Sequence, residues 1–436
     1  MDSKELREQI FHLVAEYTSQ VHGPTPFVPG TTRIQYAGRV FDERELLNMV
    51  DAVLEFWITA GRYAEQFEAQ LGEFLGVRHI IPVNSGSSAN LVAISTLCSP
   101  RLKNGLRPGD EVITPAAAFP TTIAPILQNQ LVPVLVDSTV GEYNLDPDQL
   151  EPALSDRTRA LFFAHTLGNP AEMDRITAFA RKHDLWMVED CCDALGSRYD
   201  GQMVGTFGQL ATLSFYPAHH ITMGEGGAVY TNSARLARLA RSIRDWGRDC
   251  FCGYDNPPDG KCGRRFRHVP GLGDYDHRYV FSEIGYNLKI TDVQAAMGVA
   301  QLEKLAHFVA ARKRNFQILY QGLQSFATLI ALPRWWDKAD PSWFAFPMTV
   351  ADTAPFARAD LMAYLESQRI ETRVLFAGNI LNQPGYRDIP CRVVGDLENT
   401  DRIARGTFFV GVYPGLDRPR LDYILDALAL FFHRYV

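Results

Sequence analysis

Four of the seven cysteines in this chain follow a spacing that can bind metal, Cys192-x57-Cys250-x-Cys252-x9-Cys262. Four thiolates hold either a [2Fe-2S] cluster or a structural zinc ion. Zinc sites usually contain two C-x2-4-C pairs, and the C-x-C pair of Cys250 and Cys252 fits that arrangement less well. The spacing taken alone leaves the two kinds of metal site nearly even.

The expected compartment argues for a metal rather than disulfides. Residues 1–17 show a charged amphipathic helix pattern without the apolar run of a signal peptide, and no apolar stretch approaches the roughly 20 residues that cross a bilayer. We therefore expect a cytoplasmic protein without membrane contact, whose thiols stay reduced. Cys191 adjoins Cys192 and is the alternative ligand, although its side chain is expected to point elsewhere. Cys98 and Cys391 lie outside the pattern.

Two further segments suit a phosphorylated cofactor. The turn Ser85-Gly86-Ser87 follows a strand pattern and opens a helix, so backbone N–H groups and the helix dipole would face a phosphate there. Asp190 ends an apolar strand, which places a carboxylate at the sheet edge where ligands bind. Such a carboxylate keeps the pyridinium nitrogen of a B6 cofactor protonated. On these residues alone, an ordinary helix cap at either place remains open.

A third segment, SFYPAHHITMGEGG from Ser214 to Gly227, is more specific. Together with the turn and Asp190, in this order and spacing, it resembles the DegT/DnrJ/EryC1/StrS sugar aminotransferases, which are fold-type I B6 enzymes. The resemblance runs from about residue 35 to the end and includes residues 285–305. In that family the segment reads S-F-x-x-x-K followed by E-G-G, and the lysine binds the cofactor covalently. His219 stands at the lysine position here.

This replacement decides the expected chemistry. Imidazole forms no stable Schiff base with the cofactor aldehyde, so transamination loses its covalent anchor. A neutral histidine still acts as a general base near pH 7. His220 is adjacent, but the six-residue offset to Glu225 favours His219 as the base, and we expect His220 to orient or pack.

The family resemblance implies roles for further residues. Three residues with small side chains would bind the phosphate: Gly86, Ser87 and Ser214. Phe119 would stack on the pyridine ring, and Asp193 falls where the family often has a glutamine near the ring hydroxyl. Asn287 would reach the phosphate of a neighbouring subunit, which implies a homodimer. The catalytic residues implied in this way are His219, Asp190, Tyr216 and Asp193.

The cysteine pattern resembles the iron–sulfur branch of this family, the CDP-6-deoxy-L-threo-D-glycero-4-hexulose 3-dehydrases. That branch shares the x57 and C-x-C spacings but ends in x7, so Cys262 requires a two-residue insertion. Residues 371–379 and 412–415 are also similar to it. The resemblance therefore favours a [2Fe-2S] cluster on four ligands: Cys192, Cys250, Cys252 and Cys262. Related GDP-sugar 3-dehydratases have the histidine without these cysteines, and they release ammonia without external electrons.

The resemblance thus implies a C3 dehydratase that uses pyridoxamine 5′-phosphate on a CDP- or dTDP-linked 4-keto-6-deoxyhexose. In the implied reaction His219 removes a C4′ proton, Asp190 stabilises the charge through the ring, and the C3 hydroxyl leaves. Two electrons arriving through the cluster then lead to a 4-keto-3,6-dideoxyhexose of the O-antigen type. A separate NAD(P)H-dependent iron–sulfur flavin reductase would supply them, because the chain has no G-x-G-x-x-G strand–turn–helix motif.

Two alternatives remain. The first is an ammonia-releasing dehydratase whose cysteines bind structural zinc, and it would turn over without a reductase. The second is a degenerate aminotransferase that only binds ligand. Against the second, Asp190, the small-residue turn and Ser214 are all retained.

Short apolar runs alternate with helical patterns and are expected to position these residues. Seven strand candidates are residues 79–83, 111–114, 132–137, 160–165, 185–190, 211–215 and 228–231. With helical patterns between them, at 87–97 and 173–183 for example, they predict an α/β fold with a largely parallel seven-stranded sheet sandwiched by helices. The resemblance narrows this to a fold-type I aminotransferase-like fold.

Length and charge complete the expectations. A chain of 436 residues is too long to fold around a single ordinary hydrophobic core. We predict an N-terminal helical extension at 1–35, a cofactor-binding domain at 36–305 with an irregular insertion at 248–280, and a smaller C-terminal α+β domain at 306–436. The net charge of −7 and the lack of a long Lys/Arg run argue against nucleic-acid binding.

Overall fold

The computed structural model describes residues 2–23, 25–250, 252, 263 and 265–435, so Cys262 lies outside the described residues. The helices are α1 (Ser3–Val21), α2 (Glu43–Glu55), α3 (Arg62–Leu75), α4 (Gly86–Leu97), α5 (Pro120–Gln128), α6 (Leu150–Ala153), α7 (Met173–Lys182), α8 (Ala234–Arg244), α9 (Asp292–Leu323), α10 (Arg358–Ser367), α11 (Glu398–Gly406) and α12 (Arg418–Phe432). Among these described helices, none has the length and apolar character that crossing a bilayer requires.

The strands are β1 (His79–Val83), β2 (Glu111–Pro115), β3 (Val132–Val136), β4 (Thr158–Ala164), β5 (Trp186–Asp190), β6 (Arg198–Tyr199), β7 (Gln202–Met203), β8 (Leu210–Ser214), β9 (Gly227–Thr231), β10 (Phe266–Val269), β11 (Gly273–Asp276), β12 (Ile330–Ala331), β13 (Ala339–Asp340), β14 (Ala345–Val350), β15 (Arg373–Val374), β16 (Arg392–Val393) and β17 (Thr407–Gly411).

The central sheet has eight strands in the order β1-β9-β8-β5-β4-β2-β3-β16. The six strands from β8 to β16 in this order pair in parallel, whereas β9 is antiparallel to both β1 and β8. All seven predicted strands lie in this sheet, which confirms the predicted α/β fold. The predicted number of strands is wrong by one, because β16 has two residues and is too short to form a recognisable pattern.

A second, antiparallel sheet forms near the C-terminus, in the order β12-β14-β17-β15. Phe346 of β14, Phe408 of β17 and Ile424 of α12 are fully buried in the core that covers it. This is a smaller α+β unit of the predicted kind. Ile34, from the predicted N-terminal extension, packs in the same core and pairs with Ile370.

Helix α9 joins the two cores. Leu305 and Phe308 pack in the core of the central sheet, whereas Phe316 and Leu319 pack in the second core. The helix begins at a capping box formed by Thr291 and continues without interruption. The predicted boundary after residue 305 therefore lies inside a continuous helix.

Two local features position the site. Helix α4 starts directly after β1 because the Ser85 hydroxyl caps it, accepting a hydrogen bond from the Ser88 N–H at 3.0 Å. The predicted irregular insertion contains the β10–β11 hairpin, followed by a 3-10 turn at His277–Tyr279. Isolated bridges join Asp245 to Asn287 and Arg248 to Phe281, so this part of the chain folds back on itself.

Candidate active site

A cavity of about 400 Å³ opens at the carboxyl ends of the central strands. Its walls come from the large unit and from the C-terminal unit, which contributes Phe344, Arg373 and Phe376. The sequence-predicted residues that line it are Gly86, Ser87, Phe119, Asp190, Cys192, Asp193, Ser214, Tyr216 and His219. The structure thus brings together side chains from segments that lie far apart in the sequence.

The N-terminus of α4 forms one end of the cavity. A side chain at Gly86 would not fit, because a Cβ there would lie 2.5 Å from Cβ of Ser214 and 3.0 Å from Sγ of Cys192. The first N–H groups of a helix have no partner within the helix, and they stand at the positive end of its dipole. This close-packed cradle fits the phosphate of pyridoxal or pyridoxamine 5′-phosphate.

Asp190, at the end of β5, is held by three hydrogen-bond donors. Its Oδ2 accepts hydrogen bonds from Nδ2 of Asn90 at 2.8 Å and from Oγ1 of Thr122 at 2.9 Å. Its Oδ1 accepts one from the Cys192 N–H at 3.1 Å. The carboxylate is therefore fixed where it can contact a pyridinium nitrogen. Sequence reasoning missed both side-chain donors, although Asn90 lies one helical turn after Gly86 and shares its face of α4.

His219 follows β8 and lies at the cavity wall. Its Nδ1 is 3.4 Å from Oδ1 of Asp193, although this contact lacks hydrogen-bond geometry. Its backbone carbonyl accepts a hydrogen bond from Nη2 of Arg312 at 2.9 Å. A carboxylate beside Nδ1 favours the tautomer with the proton on that nitrogen, which leaves Nε2 to accept a proton. The arrangement suits a general base.

His220 does not line this cavity. Its Nε2 donates a hydrogen bond to the Ser342 carbonyl at 2.8 Å. Burial lowers the pKa of His220 well below its ordinary value, and the nearby Arg312 guanidinium lowers it further. The side chain is therefore a neutral packing group.

Aromatic side chains flank the middle of the cavity. Phe119 is half-exposed, and its ring meets the Phe376 ring edge-on with the centroids 5.9 Å apart. Arg373 lies over the ring of Tyr36, with Cζ 4.3 Å from the centroid, and brings a positive charge to the rim. Sequence reasoning assigned Arg373 no role, because its approach to the cavity depends on packing between the two units.

Asn287 does not line the cavity of its own chain. Its Oδ1 accepts a hydrogen bond from Nζ of Lys289 at 2.9 Å, and its backbone pairs with Asp245. The next residue, Leu288, accepts a hydrogen bond from the Asn84 N–H at 2.8 Å, just before the phosphate turn. The contact of Asn287 with a neighbouring subunit stays a prediction.

The described cysteines of the metal pattern lie in two places. Cys192 lines the cavity, where burial raises the pKa of its thiol well above its ordinary value and the Asp190 carboxylate raises it further. Cys250 and Cys252 lie with His277 instead, and the three potential ligand atoms are all within 4.8 Å of one another. Two thiols and an imidazole at this separation fit a metal centre.

Helix α4 separates these two places. Cys192 adjoins its first residue, whereas Asp249, directly before Cys250, is 3.6 Å from Arg101 beyond its last turn. The helix has 12 residues, and such a helix is about 18 Å long. Within one chain, the structure therefore brings Cys250 to Cys252 but not to Cys192.

Cys191, the alternative ligand, is buried in the core with His165 and Glu189. Nε2 of His165 is 3.0 Å from the Glu189 carboxylate, which also accepts backbone hydrogen bonds from Gly205 and Gly208. The polar groups of this buried cluster satisfy one another, which indicates a structural role.

A model of the DegT/DnrJ/EryC1/StrS aminotransferase family matches residues 41–429, most of the chain. The chain belongs to this family. Two relatives are similar over nearly their whole length. "Lipopolysaccharide biosynthesis protein RfbH" of Salmonella typhimurium is 51% identical over 99% of both chains. The dTDP-4-dehydro-2,6-dideoxy-D-glucose 3-dehydratase of Saccharopolyspora spinosa is 48% identical over 98% of this chain and 92% of that protein.

A solved structure agrees with this fold. An E. coli GDP-4-keto-6-deoxy-D-mannose-3-dehydratase with bound hydrated PLP matches with a TM-score of 0.82 and 26% identity, over 91% of this chain and 99% of that one. The predicted aminotransferase-like fold is confirmed.

Proposed function

We propose that this family member is a 3-dehydratase of nucleotide-linked 4-keto-6-deoxyhexoses that uses pyridoxamine 5′-phosphate. The observation that carries the proposal is His219, which lies in the cofactor cavity at the position of the family's lysine. A base without a covalent bond to the cofactor suits elimination and does not suit transamination. Two relatives named as 3-dehydratases of dTDP- and GDP-linked keto sugars support it.

Five residues of the cavity would take part in this reaction. When bound, pyridoxamine 5′-phosphate supplies an amine for the sugar's C4 ketone and a ring that takes up electron density. Gly86 and Ser87 would hold its phosphate, and Asp190 would keep its ring nitrogen protonated. Nε2 of His219 would take the C4′ proton and return it to the C3 hydroxyl, which leaves as water. Asp193 would hold the proton on Nδ1 of His219 throughout.

The proposal includes a [2Fe-2S] cluster that delivers two electrons one at a time. The closeness of Cys250 and Cys252 supports it, with Cys192 and Cys262 as the further ligands implied by the resemblance. Because Cys192 and Cys250 lie at opposite ends of α4, the described chain does not bring these sulfurs onto one cluster. We therefore place the cluster between two subunits of the proposed homodimer, with Cys192 from one and the Cys250–Cys252 pair from the other.

The substrate is proposed to carry CDP or dTDP. Arg373, at the cavity rim, offers a planar guanidinium for the diphosphate. The name of the Salmonella relative, a lipopolysaccharide biosynthesis protein, supports an O-antigen type of product. A separate NAD(P)H-dependent iron–sulfur flavin reductase and a cytoplasmic location, both predicted from the sequence, complete the proposal.

The test is metal analysis and turnover of anaerobically purified protein. We expect about two irons and two sulfides per chain and visible absorption that bleaches with dithionite. Turnover of CDP- or dTDP-4-keto-6-deoxyhexose should require the reductase. The second candidate is an ammonia-releasing dehydratase, which the similarity to GDP-4-keto-6-deoxy-D-mannose 3-dehydratases favours. A colourless zinc protein that turns over alone and releases ammonia would identify that candidate.

A further inference from the structure

Arg312 is a buried cation next to His219, and the proposed reaction gives it no role. It lies in α9, and its residue is only 2% exposed. Burial lowers the pKa of its guanidinium to about 9, which leaves the group charged at neutral pH. In the described part of the chain no carboxylate forms an ion pair with it. Because burying a charge without an ion pair costs free energy, the guanidinium depends on its hydrogen bonds.

Three backbone carbonyls accept hydrogen bonds from this guanidinium. Nη2 donates to the His219 carbonyl at 2.9 Å. Nη1 donates to the carbonyls of Phe344 at 2.9 Å and of Trp343 at 3.3 Å. Hydrogen bonds from a charged donor are stronger than those from a neutral one. Since Trp343 and Phe344 directly precede β14 of the second sheet, the guanidinium ties His219 to the C-terminal unit.

The C-terminal side of this link is firmly packed. Trp343 stacks on Phe316 of α9 with the ring centroids 3.9 Å apart, and both rings are buried in the second core. The Phe344 N–H donates a hydrogen bond to the Leu167 carbonyl at 2.8 Å. The Phe344 ring meets the His219 imidazole with the centroids 5.3 Å apart. The guanidinium thus holds the backbone of both residues that form this ring contact.

His219 needs such a link because it lies in a turn. It follows β8 and belongs to no helix or strand, and its N–H donates to the Tyr216 carbonyl at 2.9 Å. Side chains on turns and loops are placed less precisely than those on helices and strands. A general base has to lie within hydrogen-bond distance of the proton it takes, and a misplacement of about 1 Å can slow a reaction about a hundredfold.

We propose that Arg312 is a positioning residue that holds the His219 imidazole against Phe344 and within reach of the proton it transfers. The inference rests on the proposed function, in which His219 is the base. Arg312 acts through the two backbone carbonyls and does not line the cofactor cavity. Because the role needs two donor nitrogens in one plane, a lysine should replace only part of it.

The test compares four variants of the holoenzyme. Arg312→Met removes all three hydrogen bonds, and Arg312→Lys keeps the charge on a single donor nitrogen. Asn315→Leu is the matched control, because Asn315 lies three residues further along α9, is fully buried and donates to three other carbonyls. Those acceptors lie outside the cavity lining and belong to Val412, Tyr413 and Leu416. His219→Asn removes the base itself.

The readouts are the melting temperature, the cofactor bound per chain, kcat and KM for the nucleotide sugar, and a crystal structure. We expect kcat per bound cofactor to fall about a hundredfold in Arg312→Met and about tenfold in Arg312→Lys. KM and bound cofactor should stay within about twofold of wild type in both. In the Arg312→Met crystal the imidazole should have moved by about 1 Å or more. Asn315→Leu should lower the melting temperature and keep kcat.

A wild-type kcat per bound cofactor in either folded Arg312 variant would overturn the inference, because the arginine would then only stabilise the fold. An imidazole that stays in its wild-type place in the Arg312→Met crystal would overturn it too. So would a loss of kcat in Asn315→Leu as large as that in Arg312→Met. A wild-type kcat in His219→Asn would instead contradict the proposed function itself.

Discussion

Nδ1 of His219 lies 3.4 Å from Oδ1 of Asp193, and the two side chains are 16% and 12% exposed. Asp193 Oδ2 accepts a hydrogen bond from the Leu167 N–H at 3.3 Å, which anchors the carboxylate from the other side. The pair resembles the carboxylate–imidazole pairs that orient catalytic histidines elsewhere. In the proposed reaction, Asp193 would favour the tautomer of His219 whose Nε2 is free to accept a proton.

Asp193→Asn should lower kcat about ten- to a hundredfold with little change in KM. The neutral amide no longer attracts the proton on Nδ1 of His219 by its charge. The imidazole therefore spends less time in the tautomer whose Nε2 can accept a proton. Steady-state kinetics in the presence of reductase measures this. Asp200→Asn, at an exposed position away from the cavity, is the control. A parallel loss of bound cofactor would instead mean that Asp193 holds the cofactor.

His219→Lys should regain a covalent bond to pyridoxal 5′-phosphate. A lysine amine at this position meets the cofactor aldehyde, whereas imidazole does not form the bond. Borohydride reduction followed by mass spectrometry of the denatured protein should show one cofactor attached per chain. His219→Asn should show none after the same treatment. Absence of the adduct in a folded His219→Lys protein would mean that His219 does not face the cofactor aldehyde.

If the cluster lies between two subunits, as proposed, chains with complementary cysteine substitutions should rebuild it in a heterodimer. Cys192→Ser homodimers and Cys250→Ser/Cys252→Ser homodimers should each lack the cluster. A heterodimer of the two, isolated with two different tags, contains one complete set of ligands and should hold about half the wild-type iron. Cys98→Ser, outside the pattern, should keep full iron. If each cluster were built within one chain, the heterodimer would contain none.

Acid should destabilise the protein partly through His220. Burial keeps the pKa of this side chain well below its ordinary value of 6.5. Below pH 6.5 the unfolded state binds a proton that the folded state excludes. The free energy of unfolding therefore falls as the pH falls, by up to about 1.4 kcal/mol per pH unit from this group. In His220→Gln this part of the pH dependence should disappear. Urea unfolding at pH 7 and pH 5.5 tests it, and identical pH dependence in both proteins would refute it.

Arg373→Gln should raise KM for the nucleotide sugar about tenfold or more while kcat changes less. A guanidinium that binds the diphosphate contributes to both the ground state and the transition state, so its loss appears mainly in KM. Arg387→Gln, exposed in the same unit and outside the cavity lining, is the control. Equal KM values for the two variants would remove Arg373 from substrate binding.

Local sequence patterns predicted much of the fold and the cofactor end of the site. The turn at Gly86 and the carboxylate of Asp190 were predictable because each adjoins a strand, and strand ends share one edge of a parallel sheet. Arg312 and His277 were not, because they reach His219 and Cys252 only through the packing of distant segments. Spacing along the chain likewise gave no sign that Cys192 and Cys250 are separated by a helix.

The length of helix α9 limits how far the two units can move apart. Its 32 residues make a rod about 48 Å long, and its two halves are each built into a different core. Swinging the two units apart would require breaking hydrogen bonds in the middle of this rod, close to where Arg312 supports His219. The gap between the two units should therefore keep a nearly constant width when a ligand enters or leaves the cavity.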